Sequence, residues 1–559
     1  MATVPAPISE TPLVTSALSA RWSFPRLLRL RRAAPLATLD ATVIGSLMLI
    51  ALATRLLALR WGAGLNADEA VPGLMALHVA EGTDRPIFYW GQHYFGSLEA
   101  YFVGALFKLF GFHPQLLFVP PMLASVALVP LTAALARGLV AGRVDDRTVR
   151  LTGWLAALPV AAATPVMSRM LAHAGGGFAL AFALQGVALY ALLRALGPET
   201  GSRERFGCAA LFGLAAGFLC WVWQPALAVI AVLLVVLAAR RPSLLRAALP
   251  TLLIGLIPPL AYNLTQDWPT LAEILRKAQT PPDQAPAEIA RSRWVFAILL
   301  GMAFGGGEDT FIAATNWPQA SAVAIGLAVC VTTALDTRRL NRLVTGTLGL
   351  AFFANLIAAH GAVRHLHPAA LIAFAFFGAL PVALFGGDAR FAKARAGLSS
   401  LLAGLVLIPN LWLLPVHESV YTEKPAFGSA VQQVVDGLTE RGLTHGYADY
   451  WTAYPITYWS GKRVIVSPVA PMVYGGRFER YQDYTEAVHR HPTLRGLFLL
   501  LDAKCDTAIY SAHIREVGGR YRIERLGPHT LFWDISVPPA YEQEALDVLR
   551  WRVVTNERC

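Results

Sequence analysis

The sequence predicts an α-helical polytopic membrane protein with a C-terminal soluble α/β domain on the outer face of the membrane. Three observations carry that prediction. Hydrophobic residues make up 55 % of the 559 residues and charged residues 15 %, with a mean hydropathy of +0.49, too apolar for a soluble globule. Charge-poor stretches of roughly 17–22 residues recur, long enough to cross ~30 Å of hydrocarbon. The last part of the chain, 416–559, is instead polar and mixed. A cytosolic enzyme, a disordered chain and a secreted disulfide scaffold are excluded. Of the five Cys, Cys208, Cys220 and Cys330 lie in apolar runs, and Cys505 and Cys559 are far apart in sequence. The net charge of +11 comes from short Arg clusters between apolar spans, which argues for membrane topology and against nucleic acid as a partner.

In chain order, residues 1–40 form a cytoplasmic tail with Arg21, Arg26, Arg29, Arg31 and Arg32. The apolar run that follows is longer than a signal-peptide core, so it reads as a retained first helix with its N-terminus inside. The membrane module covers 41–415. Its crossings fall near 41–60, 115–136, 151–168, 174–193, 206–223, 225–240, 247–263, 318–335, 343–360, 368–386 and 397–415, about 11 helices. The long apolar run 206–240 divides at Gln224-Pro225, where a helix turns most easily.

Phe95–Phe112 is apolar enough to span but carries Glu99 and Lys108. Were it to cross, every later loop would change sides. Reading it as an interfacial helix on the outer surface keeps Arg137–Arg150, Arg240–Arg246, Arg338–Arg342 and Arg390–Arg395 inside, as the positive-inside rule requires. Large outer loops then occupy 61–114 and 264–317. In the outer domain, 427–442 and 480–490 have helical patterns, and 463–469, 495–502 and 528–536 have strand patterns. The Ala-rich spans and the excess of Arg over Lys suggest GC-rich bacterial coding, hence the cytoplasmic (inner) membrane.

The sharpest local feature is Asn66-Ala67-Asp68-Glu69-Ala70, directly after the first crossing. Two adjacent carboxylates at the mouth of a span meet a low dielectric on one side, which can tune a general base. The same residues also suit a helix start, with Asn66 or Asp68 as cap and Glu69 in the first turn. Both readings stand at this point.

The chain resembles the GT-C superfamily of membrane glycosyltransferases, particularly the branch of protein O-mannosyltransferases and lipid A aminoarabinose transferases (glycosyltransferase family 39-like). The resemblance runs from the first helix through Asp68-Glu69 and the helix 69–80 to the Lys-Leu-Phe-Gly at Lys108–Gly111. It continues in the Ala-Leu-Ala-Arg-Gly-Leu exit of the second span, the Arg-x-x-x-Pro at Arg364–Pro368 and the outer domain. It departs at Gly91–Glu99, where relatives carry a Pro-rich segment before an aromatic pair. The resemblance implies a GT-C fold, Asp68 as catalytic base and a sugar on a polyprenyl phosphate as donor.

Elementary chemistry agrees with an outward site. No nucleotide sugars exist outside the cytoplasmic membrane, so an activated donor arrives attached to lipid. The reaction then needs a base for the acceptor hydroxyl and a cation for the departing phosphate. Asp68 suits the first role; Glu69 either orients the acceptor or Asp68, or merely starts the helix. Arg364 suits the phosphate, or else anchors the interface. His365 and His367 either assist there, bind a divalent metal with Glu69, or stay solvated; the chemistry requires no cofactor. Arg55, the one charge well inside a predicted span, either snorkels to the outer interface or approaches the donor phosphate. Gln92, His93, Tyr94 and Glu99 either line an acceptor groove or keep one helix face wet.

Tyr447–Trp459 packs six aromatic residues into thirteen positions, for stacking on sugars, for the membrane interface, or for a buried domain face. The leading expectation is a hexosyl or pentosyl transferase whose partners are a polyprenyl-phosphate sugar, membrane lipids and an acceptor glycan, lipid or protein. The alternatives are a transporter or lipid flippase, which would show repeated halves and intramembrane charge pairs, and a cell-surface polysaccharide ligase or polymerase, with its site in a late loop.

Overall fold

The computed structural model describes residues 34–61, 65–163, 165–198, 200–278, 339–358, 367–421, 428–468, 479–502 and 507–547. The chain divides into two units, 1–42 and 43–559, and the second holds every element below except the first nine residues of α1. The helical module comprises α1 (Ala34–Trp61), α2 (Ala67–Glu81), α3 (Leu98–Phe110), α4 (Val119–Val140), α5 (Asp146–Ala161), α6 (Pro165–Ala172) and α7 (Phe178–Leu196). It continues through α8 (Ser202–Val222), α9 (Ala226–Arg240), α10 (Leu245–Thr265), α11 (Pro269–Ala278), α12 (Arg342–Ala358), α13 (His367–Phe385) and α14 (Ala392–Tyr421). A small hairpin, β1 (Phe88–Tyr89) and β2 (Gln92–Gly96), lies between α2 and α3. Among the described residues, seven helical segments are long and apolar enough to cross a membrane. They belong to α1, α4, α7, α8, α10, α13 and the start of α14. The predicted crossing at 318–335 lies outside the described residues.

Two local details shape the site end of this bundle. First, α3 has 13 residues, about 20 Å at 1.5 Å each, short of the ~30 Å a crossing needs. It lies against α2, where Gly104 approaches the Ala76 carbonyl. Second, the predicted crossing 151–168 is not one helix: α5 stops at Ala161 and α6 restarts at Pro165. Proline lacks the N–H that would continue the ladder, but it suits the first turn of a new helix.

The break exposes the last carbonyls of α5, and α1 supplies their donors. Arg55 Nη2 donates to Val160 O at 2.7 Å and Nη1 to Ala161 O at 3.3 Å, while Thr54 Oγ1 donates to Ala161 O at 3.2 Å. Arg55 is 0 % exposed, so the expectation that it snorkels to the interface is corrected: its charge is held inside by carbonyl oxygens. Elsewhere small residues let helices touch. Gly213 and Gly217 of α8 lie so close to the Ala248 and Leu252 carbonyls of α10 that a Cβ would collide.

The soluble domain holds α15 (Ser429–Glu440), β3 (His445–Ala448), α16 (Tyr450–Trp459), β4 (Ile465–Pro468), α17 (Gln482–His489), β5 (Leu497–Asp502), α18 (Ala508–Glu516), β6 (Arg520–Leu526) and β7 (His529–Ser536). Its five-stranded sheet has the order β4-β3-β5-β7-β6. β3 pairs parallel with β4 and β5, and β7 pairs antiparallel with β5 and β6. The unbroken apolar run of β5 is that of a central strand covered on both faces. Phe498 and Leu500 pack with the cluster that includes α15 and α16, whereas Leu497, Leu499 and Leu501 pack with Val488 of α17 and Ile514 of α18.

α16 docks on α2. Tyr458 lies flat against Gly73, its hydroxyl donates to Pro114 O at 2.8 Å, and Lys462 pairs with Glu81. Gly73→Val would drive a side chain into the Tyr458 ring, overpacking worth about 1–3 kcal/mol. The variant should lower the apparent melting temperature in detergent. Gly45→Val, with nothing within 4 Å of its Cβ, should not. Equal melting of the two variants would contradict this docking.

Candidate active site

Asn66 begins α2 with a reciprocal cap: its side-chain oxygen accepts from Glu69 N–H at 3.0 Å, and Glu69 Oε2 accepts from Asn66 N–H at 3.3 Å. This cap turns the two acidic side chains toward different partners. Glu69 Oε1 meets His173 Nδ1 at 2.6 Å, across from the turn between α6 and α7. Asp68 Oδ1 accepts from the Tyr450 hydroxyl at 3.0 Å, across from the soluble domain. The N-cap and the site readings of Asn66-Ala67-Asp68-Glu69 therefore describe one structure. Asn66 caps, Glu69 does two jobs, and Asp68 faces open space.

That space is a cavity of about 500 Å³ where α2, the β1–β2 hairpin, α6 and the soluble domain meet. Ala58, Leu59, Val71, Phe95 and Phe178 give it an apolar wall. Its polar wall carries Asp68, Glu69, Gln92, His173 and two guanidiniums, Arg169 of α6 and Arg480 just before α17. Arg480 Nε–H donates to the Tyr450 hydroxyl at 3.2 Å. With the Gln92 amide oxygen turned toward it, that oxygen accepts from Arg480 Nη2 at 2.9 Å and Nη1 at 3.1 Å. Trp90, stacked on Tyr481 at 4.2 Å between centroids, and Trp451, 59 % exposed, add aromatic surface.

Behind the polar wall sits Glu99, 1 % exposed, with neither carboxyl oxygen hydrogen-bonded among the described residues. Burial pushes its carboxyl up to about 8, with His173 opposing and Glu69 adding to the rise. His173 moves up from its ordinary value: burial disfavours its charge, but the Glu69 carboxylate, their hydrogen bond and the nearby Asp68 and Glu99 together outweigh burial.

Of the residues singled out from sequence, Asp68, Glu69, Gln92 and Tyr94 line the cavity. Three expectations are corrected. Arg55 does not line the cavity, because its guanidinium holds the end of α5. His93 faces away, with Nδ1 2.9 Å from Tyr262 Oη and its carbonyl accepting from Thr270, so it ties β2 to α10 and α11. Glu99 is packed behind the wall and not on it. Arg364 and His365 lie outside the described residues, and His367 is described only as the first backbone position of α13. No group of three His, Cys, Asp or Glu side chains converges as a metal site among the described residues.

Sequence reasoning missed Arg169, His173, Tyr450 and Arg480. A signal existed for the first two: they lie in the short outer loop predicted between the third and fourth crossings, where the positive-inside rule makes an Arg the exception. The Tyr447–Trp459 motif is chiefly a buried face, with Tyr447, Tyr454 and Tyr458 in the core, and Tyr450 reaches the cavity from its edge.

A helical membrane bundle with an α/β domain over a cavity at one end is the GT-C-type architecture, and the chain has that fold. It is similar to the oligosaccharyltransferase AglB of Archaeoglobus fulgidus, solved with an inhibitory peptide and a dolichol-phosphate. That likeness has a TM-score of 0.52 at 14 % identity and covers 90 % of this chain and 75 % of that one. The same enzyme solved with Zn and sulfate gives 0.51 at 14 %, over 88 % and 73 % of the two chains. ArnT of Cupriavidus metallidurans bound to undecaprenyl phosphate gives 0.47 at 13 %, over 91 % and 100 %. No protein-family model and no curated protein matches the sequence.

The Glu69–His173 pair has a testable pH dependence. A histidine whose value is raised by folding contributes stability fully below its ordinary 6.5 and loses it as pH rises through the folded value. His173→Ala should therefore lower the apparent melting temperature more near pH 6 than near pH 9. A loss independent of pH would show that His173 is packed but uncharged.

Proposed function

We propose that this protein is a glycosyltransferase that moves a hexosyl or pentosyl group from a polyprenyl-phosphate carrier to an acceptor hydroxyl on the outer face of the cytoplasmic membrane. The observation that carries the reading is the meeting of Asp68 with two guanidiniums in one cavity that has an apolar wall. The lipid-phosphate donor class is supported by the dolichol-phosphate in the similar AglB structure.

In this reading the acceptor hydroxyl gives its proton to Asp68, through Oδ2, since Oδ1 is engaged by Tyr450. The acceptor oxygen bonds to the anomeric carbon as the bond from that carbon to the phosphate oxygen breaks. The electron pair leaves with the polyprenyl phosphate. Arg169 and Arg480 hold the charge that develops there, a task suited to planar guanidinium forks. Arg364, assigned to the same phosphate by its sequence pattern, is tested beside them. Glu69 keeps α2 capped and His173 in place, which fixes where Asp68 points. The acceptor is a glycan, a lipid or a protein.

Purified protein incubated with radiolabelled sugars on undecaprenyl phosphate, across candidate acceptors, should release undecaprenyl phosphate and label one acceptor class. Asp68→Asn keeps the side-chain shape and should lower turnover by roughly two to four powers of ten while undecaprenyl phosphate still binds. Wild-type turnover in Asp68→Asn would sink the assignment. Because the guanidiniums supply the countercharge, turnover should survive EDTA; loss on chelation, restored by a divalent ion, would assign that role to a metal.

The phosphate role has its own test. Arg169→Lys, Arg480→Lys and Arg364→Lys keep the charge and lose the fork, so each residue on the phosphate should show a fall of roughly 10–1000-fold in turnover. A substitution with parental turnover removes that residue from the phosphate site.

A further inference from the structure

One hydrogen-bonded chain in the cavity is left without a purpose by the transfer chemistry alone. The Tyr450 hydroxyl accepts from Arg480 Nε–H at 3.2 Å and donates to Asp68 Oδ1 at 3.0 Å. The three groups come from three places: α2, the start of α16 and the residue two before α17. The guanidinium carbon also lies 5.6 Å from the centroid of the Tyr450 ring. A phenol that accepts from a cation and donates to an anion is polarised from both sides, so each bond strengthens the other.

We infer that Tyr450 is a positioning residue that couples occupancy of the phosphate subsite to the proton affinity of Asp68; the inference rests on the transferase reading above. With no anion bound, Arg480 draws on the phenol oxygen, the phenol donates strongly, and Asp68 is held as a weaker base. A lipid phosphate on Arg480 competes for the guanidinium. The phenol then releases part of its hold, and Asp68 becomes a stronger base when a donor is present. Tyr450 can serve this way because burial pushes its hydroxyl up to about 12, which keeps the proton in place. The other groups around Asp68 are Glu69 on its own helix, Arg169 and His173 from α6 and the turn after it, and Tyr89 from β1. A phosphate acts on Asp68 directly as well, so the test isolates the part that passes through Tyr450.

Carbodiimide labelling of Asp68, followed by mass spectrometry across pH on the full chain in detergent, reports the protonated carboxyl. Undecaprenyl phosphate is the probe. In the parent, the lipid should raise the labelling midpoint by roughly one pH unit. Tyr450→Phe should raise the midpoint without lipid, and the further shift on adding lipid should fall below half the parental one. A fluorinated tyrosine incorporated at position 450 keeps ring and hydroxyl but donates more strongly, so the lipid-free midpoint should fall below the parental one. Parental midpoints and lipid shifts in Tyr450→Phe overturn the coupling, as does an unmoved lipid-free midpoint with the fluorinated residue if Tyr450→Phe does not fold. The transferase reading fails separately, through wild-type turnover in Asp68→Asn. An inactive Asp68→Asn together with an unmoved midpoint in Tyr450→Phe overturns the coupling alone.

Discussion

The reciprocal cap between Asn66 and Glu69 decides where the rest of the site can be. A helix start leaves backbone N–H groups without partners, and Asn66 accepts one of them while Glu69 reaches back to the Asn66 N–H. Once Glu69 is bound to its own helix, its other oxygen can point only toward the α6–α7 turn, where His173 meets it. Asp68, one residue earlier, is rotated about 100° around the helix, and it faces the soluble domain. Local capping thus assigns two neighbouring carboxylates to two different walls of one cavity.

Both walls depend on packing farther away. The α6–α7 turn stands where it does because the third crossing breaks before Pro165, and the break is stable because Arg55 and Thr54 satisfy the carbonyls it exposes. The buried Arg, for which sequence reasoning offered a place near a phosphate, therefore acts one step removed, by holding the break after which α6 carries Arg169 and the following turn carries His173. The opposite wall depends on α16 lying on α2, with Gly73 admitting the Tyr458 ring. His78 Nε2, 2.8 Å from the Tyr484 hydroxyl, extends the same contact toward α17 and so toward Arg480.

Much of this was readable in the chain. Apolar length marked α4, α7, α8 and α10, Gln224-Pro225 marked the turn between α8 and α9, and the runs at 463–469, 495–502 and 528–536 read as strands, where β4, β5 and β7 lie. Strand β6 was missed because Arg520-Tyr521-Arg522-Ile523-Glu524-Arg525 alternates poorly and is charged, as an exposed edge strand is. Strand β3 was missed because His445-Gly446-Tyr447-Ala448 has little strand propensity and owes its conformation to parallel neighbours on both sides. In the site, Asp68 and Glu69 stood out because their chemistry and capping are local. Tyr450 and Arg480 did not. Their roles arise from contacts more than 380 residues from Asp68 in sequence, and no local pattern encodes such a contact.

The proposed transfer requires a base and a lipid phosphate to meet in one cavity built jointly by the bundle and the soluble domain. A cryo-EM structure of the full chain with undecaprenyl phosphate tests it most directly. The phosphate should lie within hydrogen-bond reach of Arg169 and Arg480, beside Asp68, with its isoprenoid chain leaving along Ala58, Leu59 and Phe178. A phosphate seated elsewhere, with this cavity holding only water, would contradict it.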